Sequence, residues 1–251
     1  MTRPEGTMHK ARRVASRLLD GLTRLPLLHT PWSGEAERLR QPVHAATFVV
    51  LDLEMTGLVP RRDAIIAVAG VTMRGERILA GRCFEAKMRP HLPPEEDAIA
   101  VHGLLPDETA THDDPAESLA AFRTFCGEAV PTGWHVGLDA AFLDAATQRH
   151  GVRPWPRRTL DVRGLHLALR HRLPARAAAL ATKDADLYAV ARVFDIDVAD
   201  AHDATGDAWL TALVLQRLLV HGDCGHMTLG DLFHLAATGL HELNGATAMT
   251  F

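Results

Sequence analysis

The chain is short of several things, and each shortage excludes a class of protein. Three cysteines, Cys83, Cys126 and Cys224, are spread over 251 residues and form no CxxC pair. This excludes a disulfide scaffold or a cysteine-built zinc site and points to a reduced, cytosolic setting, so the expected compartment is the cytoplasm. No apolar run reaches the roughly 18 residues that a membrane span needs, and no membrane partner is expected. Aromatic residues make up only 5% of the chain, so the core must be built mostly from Ala, Leu and Val. A basic excess is also missing. The formal charge is -4, which rules out a basic nucleic-acid coat.

Charge is unevenly placed, however. Between residues 153 and 176 there are seven arginines against one acid, Asp161. Two readings fit that stretch: a surface for a polyanion, or a solvated loop and helix face.

Along the chain, residues 1–45 read as an extension. Within HKARRVASRLLDGL, Ala11, Val14, Leu18 and Leu22 recur at helical spacing with arginines between them. An Arg-rich targeting peptide has that look, but Asp20 inside it and the lack of a cleavage-like site favour a helix packed on the main domain. The main domain is read as 46–221, and 222–251 as a short C-terminal extension with one short helix in MTLGDLFHLAA. FVVLDLE, IIAVAGVTM (65–73) and RILAGRCFEAKM (77–88) read as three strands, the last two joined by the tight turn Arg74-Gly75-Glu76. Residues 114–127 and 139–150 read as helices, the second ended by Gly151, with short strands at 129–136 and 159–162. Helices follow at 187–194 and 205–221. The fold class is therefore α/β: an antiparallel three-strand meander plus further strands in a mixed sheet flanked by helices.

The first strand carries an anomaly. FVVLDLEMTGLVP places Asp52 and Glu54 inside an apolar run, where an uncompensated carboxylate costs several kcal/mol. Residues i and i+2 of a strand share a face, so the two acids face together while Leu51, Leu53 and Met55 face the core. The strand then ends at Thr56-Gly57, and Gly57 permits close approach to the backbone.

Two further acids stand at element ends. In GWHVGLDAAFLDAA (133–146), Asp139 lies at or near a helix start, where an Asp is commonly a cap. In DAHDATGDAWLTALVL (200–215), His202 and Asp207 are five apart, about 140° of rotation on a continuous helix. They converge only if His202 sits in the loop ahead of the helix, with Asp203 or Thr205 as its cap. Asp52, Glu54, Asp139 and Asp207 gathered in one cleft would repel one another unless cations neutralised them. Two divalent cations, Mg²⁺ or Mn²⁺, about 3.5–4 Å apart are the common solution, and such pairs carry phosphodiester hydrolysis. His202, titrating near neutrality, would take the proton from the attacking water.

The order Asp-x-Glu, Asp, His-x4-Asp resembles the DEDDh 3′→5′ exonucleases, a family with the ribonuclease H-like fold that includes the epsilon subunit of bacterial DNA polymerase III. The resemblance runs from about residue 46 to 221 and includes AVHGL (100–104) and TLDVRGLHLALR (159–170). It implies a mixed five-stranded sheet. It also implies that Asp52, Glu54 and Asp207 hold one metal and that Asp52 and Asp139 hold a second. Met55, Thr56, Gly57 and His102 would lie close to a 3′-terminal nucleotide. The implied substrates are 3′ ends of single-stranded DNA or RNA, DNA favoured, cut to nucleoside 5′-monophosphates, with a DNA polymerase subunit as a further partner. The sequence departs from the family pattern at Trp134-His135 and at Ala67, which bears on how the strand is positioned. DLEMTGL also resembles oligoribonucleases, so an RNA trimmer is the alternative enzyme, and a nuclease-dead binding module the alternative outside enzymes. The last 30 residues show no clamp-binding signature, which leaves both an autonomous nuclease and a replicase subunit open.

Overall fold

The computed structural model describes residues 34–156, 158–182, 184, 186–198 and 203–247, with side chains described through 241. The helix expected within residues 11–22 lies outside that range.

A short helix α1 (Glu35–Arg40) leads into the first three strands: β1 (Thr47–Met55), β2 (Ile65–Arg74) and β3 (Arg77–Lys87). Two short helices follow, α2 (Glu96–His102) and α3 (Pro106–Thr109), neither of which the sequence reading assigned. Next come α4 (Pro115–Cys126), β4 (Val130–Gly133), α5 (Val136–His150), β5 (Leu160–Asp161) and α6 (Val162–Leu169). The chain continues through α7 (Ala175–Ala179), α8 (Leu187–Val193), α9 (Ala204–His221) and α10 (Leu229–Thr247). The sheet order is β3-β2-β1-β4-β5. β1 pairs antiparallel with β2, β2 antiparallel with β3, and β1 parallel with β4, which in turn pairs parallel with β5. This is the mixed five-stranded sheet expected from the strand pattern.

The meander forms where the strand-like runs and the intervening turn indicated it. At the β2–β3 turn, Gly75 takes a left-handed conformation with φ 53°, and a Cβ there would strike the His44 backbone, so only glycine fits. β2 is buried along nearly its whole length, whereas β3, the sheet edge, is largely exposed. β1 runs through the middle and feeds two cores. Phe48 and Val50 join the cluster that holds α9 residues such as Ala208, Leu215 and Leu218. Val49, Leu51 and Leu53 join Phe122 of α4 and Phe142 of α5 on the other face. By the two-residue period, Asp52 and Glu54 therefore lie on the α9 face.

α10 is longer than the short helix expected from MTLGDLFHLAA, and it packs into the first core through Leu229, Leu232 and Ala236. Its approach to α6 is close. A Cβ at Gly164 would strike the Ala236 carbonyl, and one at Gly239 the Gly164 carbonyl. Gly239→Ala is expected to force the helices apart, cost more than about 2 kcal/mol and lower the melting temperature by about 5 °C. Differential scanning calorimetry checks this; an unchanged melt would contradict the close packing.

The described arginines of the 153–176 stretch make separate contacts. Arg163 is buried in α6. Arg153, Arg158 and Arg176 pair with Glu128, Glu35 and Asp195, and Arg170 and Arg172 donate to the carbonyls of Leu167 and Gly222. Among the described residues, these cations are spent on separate structural contacts. No described helix is long and apolar enough to cross a membrane.

Candidate active site

The sheet leaves the carboxyl end of β1 unpaired on one side. β4 pairs with β1 only from Phe48 to Val50, so the end of β1 runs on without a parallel neighbour. This is where an antiparallel neighbour on one side meets a parallel one on the other, and ligand crevices open at such switch points beyond the carboxyl ends of strands. Asp52 and Glu54 sit on that free end. Their cross-strand neighbours on β2 are Ala69 and Ala67, so the departure at Ala67 places a methyl group opposite Glu54. A bulge between Glu54 and Met55 then turns the chain.

The other two acids arrive on helix starts. α5 begins at Val136, three residues before Asp139, with His135 at its N-cap in a left-handed conformation (φ 61°). Asp139 is thus buried within the first turn and is not the cap considered from the sequence. α9 begins at Ala204 and is capped by Asp203, whose carboxylate accepts from the Thr205 and Gly206 N–H groups at 2.9 and 3.4 Å. Asp207 follows in its first turn and accepts from the Tyr188 hydroxyl. His202 lies outside the described residues.

The electrostatics show that these groups share one place. Burial raises the Asp52 pKa well above the ordinary carboxylate range, and the nearby charges of Asp139, Glu54, Asp207 and Asp203 raise it further. Glu54 is pushed up to about 8 by burial first, then by Asp207, Asp203 and Asp139. Asp139 is also pushed up to about 8, mainly by burial and then by Asp161, against a main-chain hydrogen bond that lowers it. Asp161 itself caps α6, accepting from Gly164 N–H at 3.0 Å. The sequence motif contained Asp161, but its pressure on Asp139 follows only from the fold.

A folded-state pKa above the unfolded value means that the folded protein holds the proton more tightly. The stability this contributes is fully present below the unfolded carboxylate pKa and is lost as pH rises towards about 8. Metal-free protein is therefore expected to melt several degrees lower at about pH 8.5 than at about pH 6, and saturating Mg²⁺ should remove most of that difference. Melts in chelator at both pH values check this; a higher melt at the alkaline pH would contradict it.

The substrate-side residues gather at the end of β1. Thr56 is buried; its N–H donates to Ala64 O at 2.9 Å, its Oγ1 accepts from Ala64 N–H at 2.9 Å, and its carbonyl accepts from Glu95 N–H at 2.8 Å. His102 ends α2. Burial lowers its pKa, opposed by the nearby Met55 main chain; its Nδ1 accepts from the Leu104 N–H at 3.0 Å, and its buried Nε2 makes no hydrogen bond among the described residues. The close approach at Gly57 is made by the chain itself: a Cβ there would strike the Asp63 carboxylate. That carboxylate accepts from Val59 N–H and from Arg62, which also pairs with Glu95 at 2.6 Å. Arg149 of α5 donates to the carbonyls of Asp63 and Arg61, so the loop after β1 is tied down from several sides. Asp63, Asp161 and Tyr188 were not singled out from the sequence. Tyr188 meets Asp207 across 19 residues, Asp63 is held by its near neighbours Val59 and Arg62, and Asp161 lies in the quoted segment 159–170 with no role assigned to it there.

The donor set fits divalent cations. All groups are hard oxygen ligands, and every charge that presses on Asp52 is itself negative. Among the described residues, no three His, Cys, Asp or Glu side chains are grouped closely enough to form a ready metal site.

Comparison with known proteins agrees with this arrangement. The RNase T exonuclease family matches residues 49–215. A PolC-type DNA polymerase III of Lacticaseibacillus paracasei is 28% identical over 189 residues, covering 75% of this chain and 12% of that protein. A DNA polymerase III subunit epsilon-like protein of Rhodobacter capsulatus is 34% identical over 111 residues, covering 44% of this chain and 16% of that protein. The chain thus spans a small part of the relatives it matches. Among solved structures, the zinc-bound form of Escherichia coli exonuclease I with single-stranded DNA superposes with a TM-score of 0.62 at 19% identity, covering 70% of this chain and 41% of that one. Exonuclease I of Methylocaldum szegediense gives 0.57 at 20% identity, covering 70% and 40%. At such identities the likeness establishes the fold, which is ribonuclease H-like.

Proposed function

The chain belongs to the RNase T exonuclease family, and from that premise we propose that it is a metal-dependent 3′→5′ exonuclease of single-stranded nucleic acid, DNA favoured, that releases nucleoside 5′-monophosphates. The observation that carries this reading is the crowding of Asp52, Glu54, Asp139 and Asp207 at the end of β1, where burial and the neighbouring acids raise the pKa values of Asp52 and Glu54. Asp52, Glu54 and Asp207 are assigned to one divalent cation, Asp52 and Asp139 to a second. Bound there, the cations supply an activated water and neutralise charge at the phosphate.

The chain's own groups do the rest. His202 is assigned as the base that receives the proton of the attacking water. The Met55–Gly57 segment and His102 form the seat for the terminal nucleotide. Thr56 Oγ1 accepts from Ala64 N–H beneath that seat and fixes the chain there. The tied loop 58–64 holds that seat in place, and positioning of this kind supplies much of a hydrolytic rate. The single-stranded preference is supported by exonuclease I, solved with single-stranded DNA. The PolC-type and epsilon-like relatives support association with a DNA polymerase. Three free cysteines fit a reducing compartment, and the cytoplasm is the proposed location.

The test is a 5′-labelled single-stranded oligonucleotide with Mg²⁺. A ladder shortening from the 3′ end, abolished by chelator, is the expected result; cleavage indifferent to chelator would contradict the reading. RNA dinucleotides run in parallel separate a DNA nuclease from a trimmer of short RNA.

A further inference from the structure

Asp207 has a partner outside the acid cluster. The Tyr188 hydroxyl lies 2.8 Å from Asp207 Oδ1 and 2.6 Å from Oδ2, so its one proton is shared between both oxygens. That hydroxyl is held from behind. The Tyr188 ring is 6% exposed and belongs to the core shared with α9. Its backbone N–H donates at 2.9 Å to Asp186, the cap of α8. The phenol therefore approaches Asp207 from a frame built of cap and core rather than from a mobile side chain.

The chemistry of the donor matters. A lysine or arginine in that place would neutralise Asp207 and compete with a cation for it. A phenol donates a hydrogen bond while leaving the carboxylate charge intact, so it orients without discharging. Partners of this kind fix the rotamer of a ligating group, and their loss commonly costs 10–100-fold in metal affinity or activity. We propose that Tyr188 is a positioning residue that sets the orientation of Asp207 for the divalent cation, acting through that carboxylate and not on the substrate. This rests on the metal-dependent reading above.

The test uses the full chain and two readouts that do not depend on activity. Tyr188→Phe keeps the ring and removes only the donor. Its Mg²⁺ affinity by titration calorimetry is expected to fall about tenfold, with kcat on a single-stranded oligonucleotide reduced and KM nearly unchanged. The chain has a single tyrosine, so labelling the hydroxyl-bearing ring carbon with ¹³C gives one resonance in the unmodified protein. That resonance is expected to move on Mg²⁺ addition with the calorimetric midpoint. Unchanged Mg²⁺ affinity in Tyr188→Phe, or a resonance that stays still while Mg²⁺ binds, overturns the inference and leaves the metal reading standing. If Tyr188→Phe does not fold, the resonance decides alone. If Mg²⁺ does not bind the unmodified protein, the metal reading falls and the inference with it.

Discussion

Asp52→Asn is expected to reduce strand shortening by at least about a thousandfold and, in metal-free protein, to raise the melting temperature by several degrees. Both effects come from the same fact. Asp52 stands at the centre of the repelling set, where burial and four neighbouring acids disfavour its charge. An amide of the same shape removes that repulsion, so the metal-free fold gains. The amide also removes the one group assigned to both cations, so the chemistry is lost. A purely structural acid would behave differently: its removal would leave activity largely intact or destabilise the fold. Oligonucleotide kinetics together with melts in chelator read the two effects side by side. Retained activity would contradict the assignment, as would a lower metal-free melt.

His202→Ala is expected to cost about 10²–10⁴-fold in kcat, the range for loss of a general base, while KM for the oligonucleotide and Mg²⁺ affinity change little. His202 lies outside the described residues, so its assignment rests on the His-x4-Asp pattern and on Asp207, which is in place on the first turn of α9. The pH profile supplies the specific signature. With an imidazole base, the unmodified enzyme should lose activity as pH falls through the histidine range, because the protonated ring cannot accept a proton. In His202→Ala that acid limb should disappear, and added imidazole should restore part of the rate. Retention of the same limb would assign the titration to another group.

Much of this molecule was legible from residue order because the informative positions break local rules. Two carboxylates in an apolar strand are a conflict that only a site resolves, and Asp52 and Glu54 carried that signal before any fold was known. The meander was legible from its three apolar strand-like runs and from Arg74-Gly75-Glu76, where the structure places the turn. Of the two caps considered for α9, Asp203 and Thr205, the structure uses Asp203.

Other features were not legible for physical reasons. The start of α5 was placed too late because its N-cap, His135, is a non-glycine residue in the left-handed region, held there by tertiary surroundings rather than by propensity. The length of α10 was underestimated because its contact with α6 is made by glycines, which locally read as helix breakers. The arginines of the 153–176 stretch meet acids and carbonyls that come together only on folding. At Gly57 a Cβ would strike the Asp63 carboxylate, a packing demand that the residue order alone does not reveal. Tyr188 reaches Asp207 across 19 residues and two helices, a contact that no pattern in the chain announces.

The central claim is that Asp52, Glu54, Asp139 and Asp207 gather divalent cations. It is tested most directly by anomalous diffraction from crystals grown with Mn²⁺ and a nucleoside 5′-monophosphate. Two manganese peaks are expected between these four carboxylates, about 3.5–4 Å apart, with Asp52 bridging them. A map in which the four acids hold no manganese, or in which the ion lies elsewhere on the protein, would contradict the account.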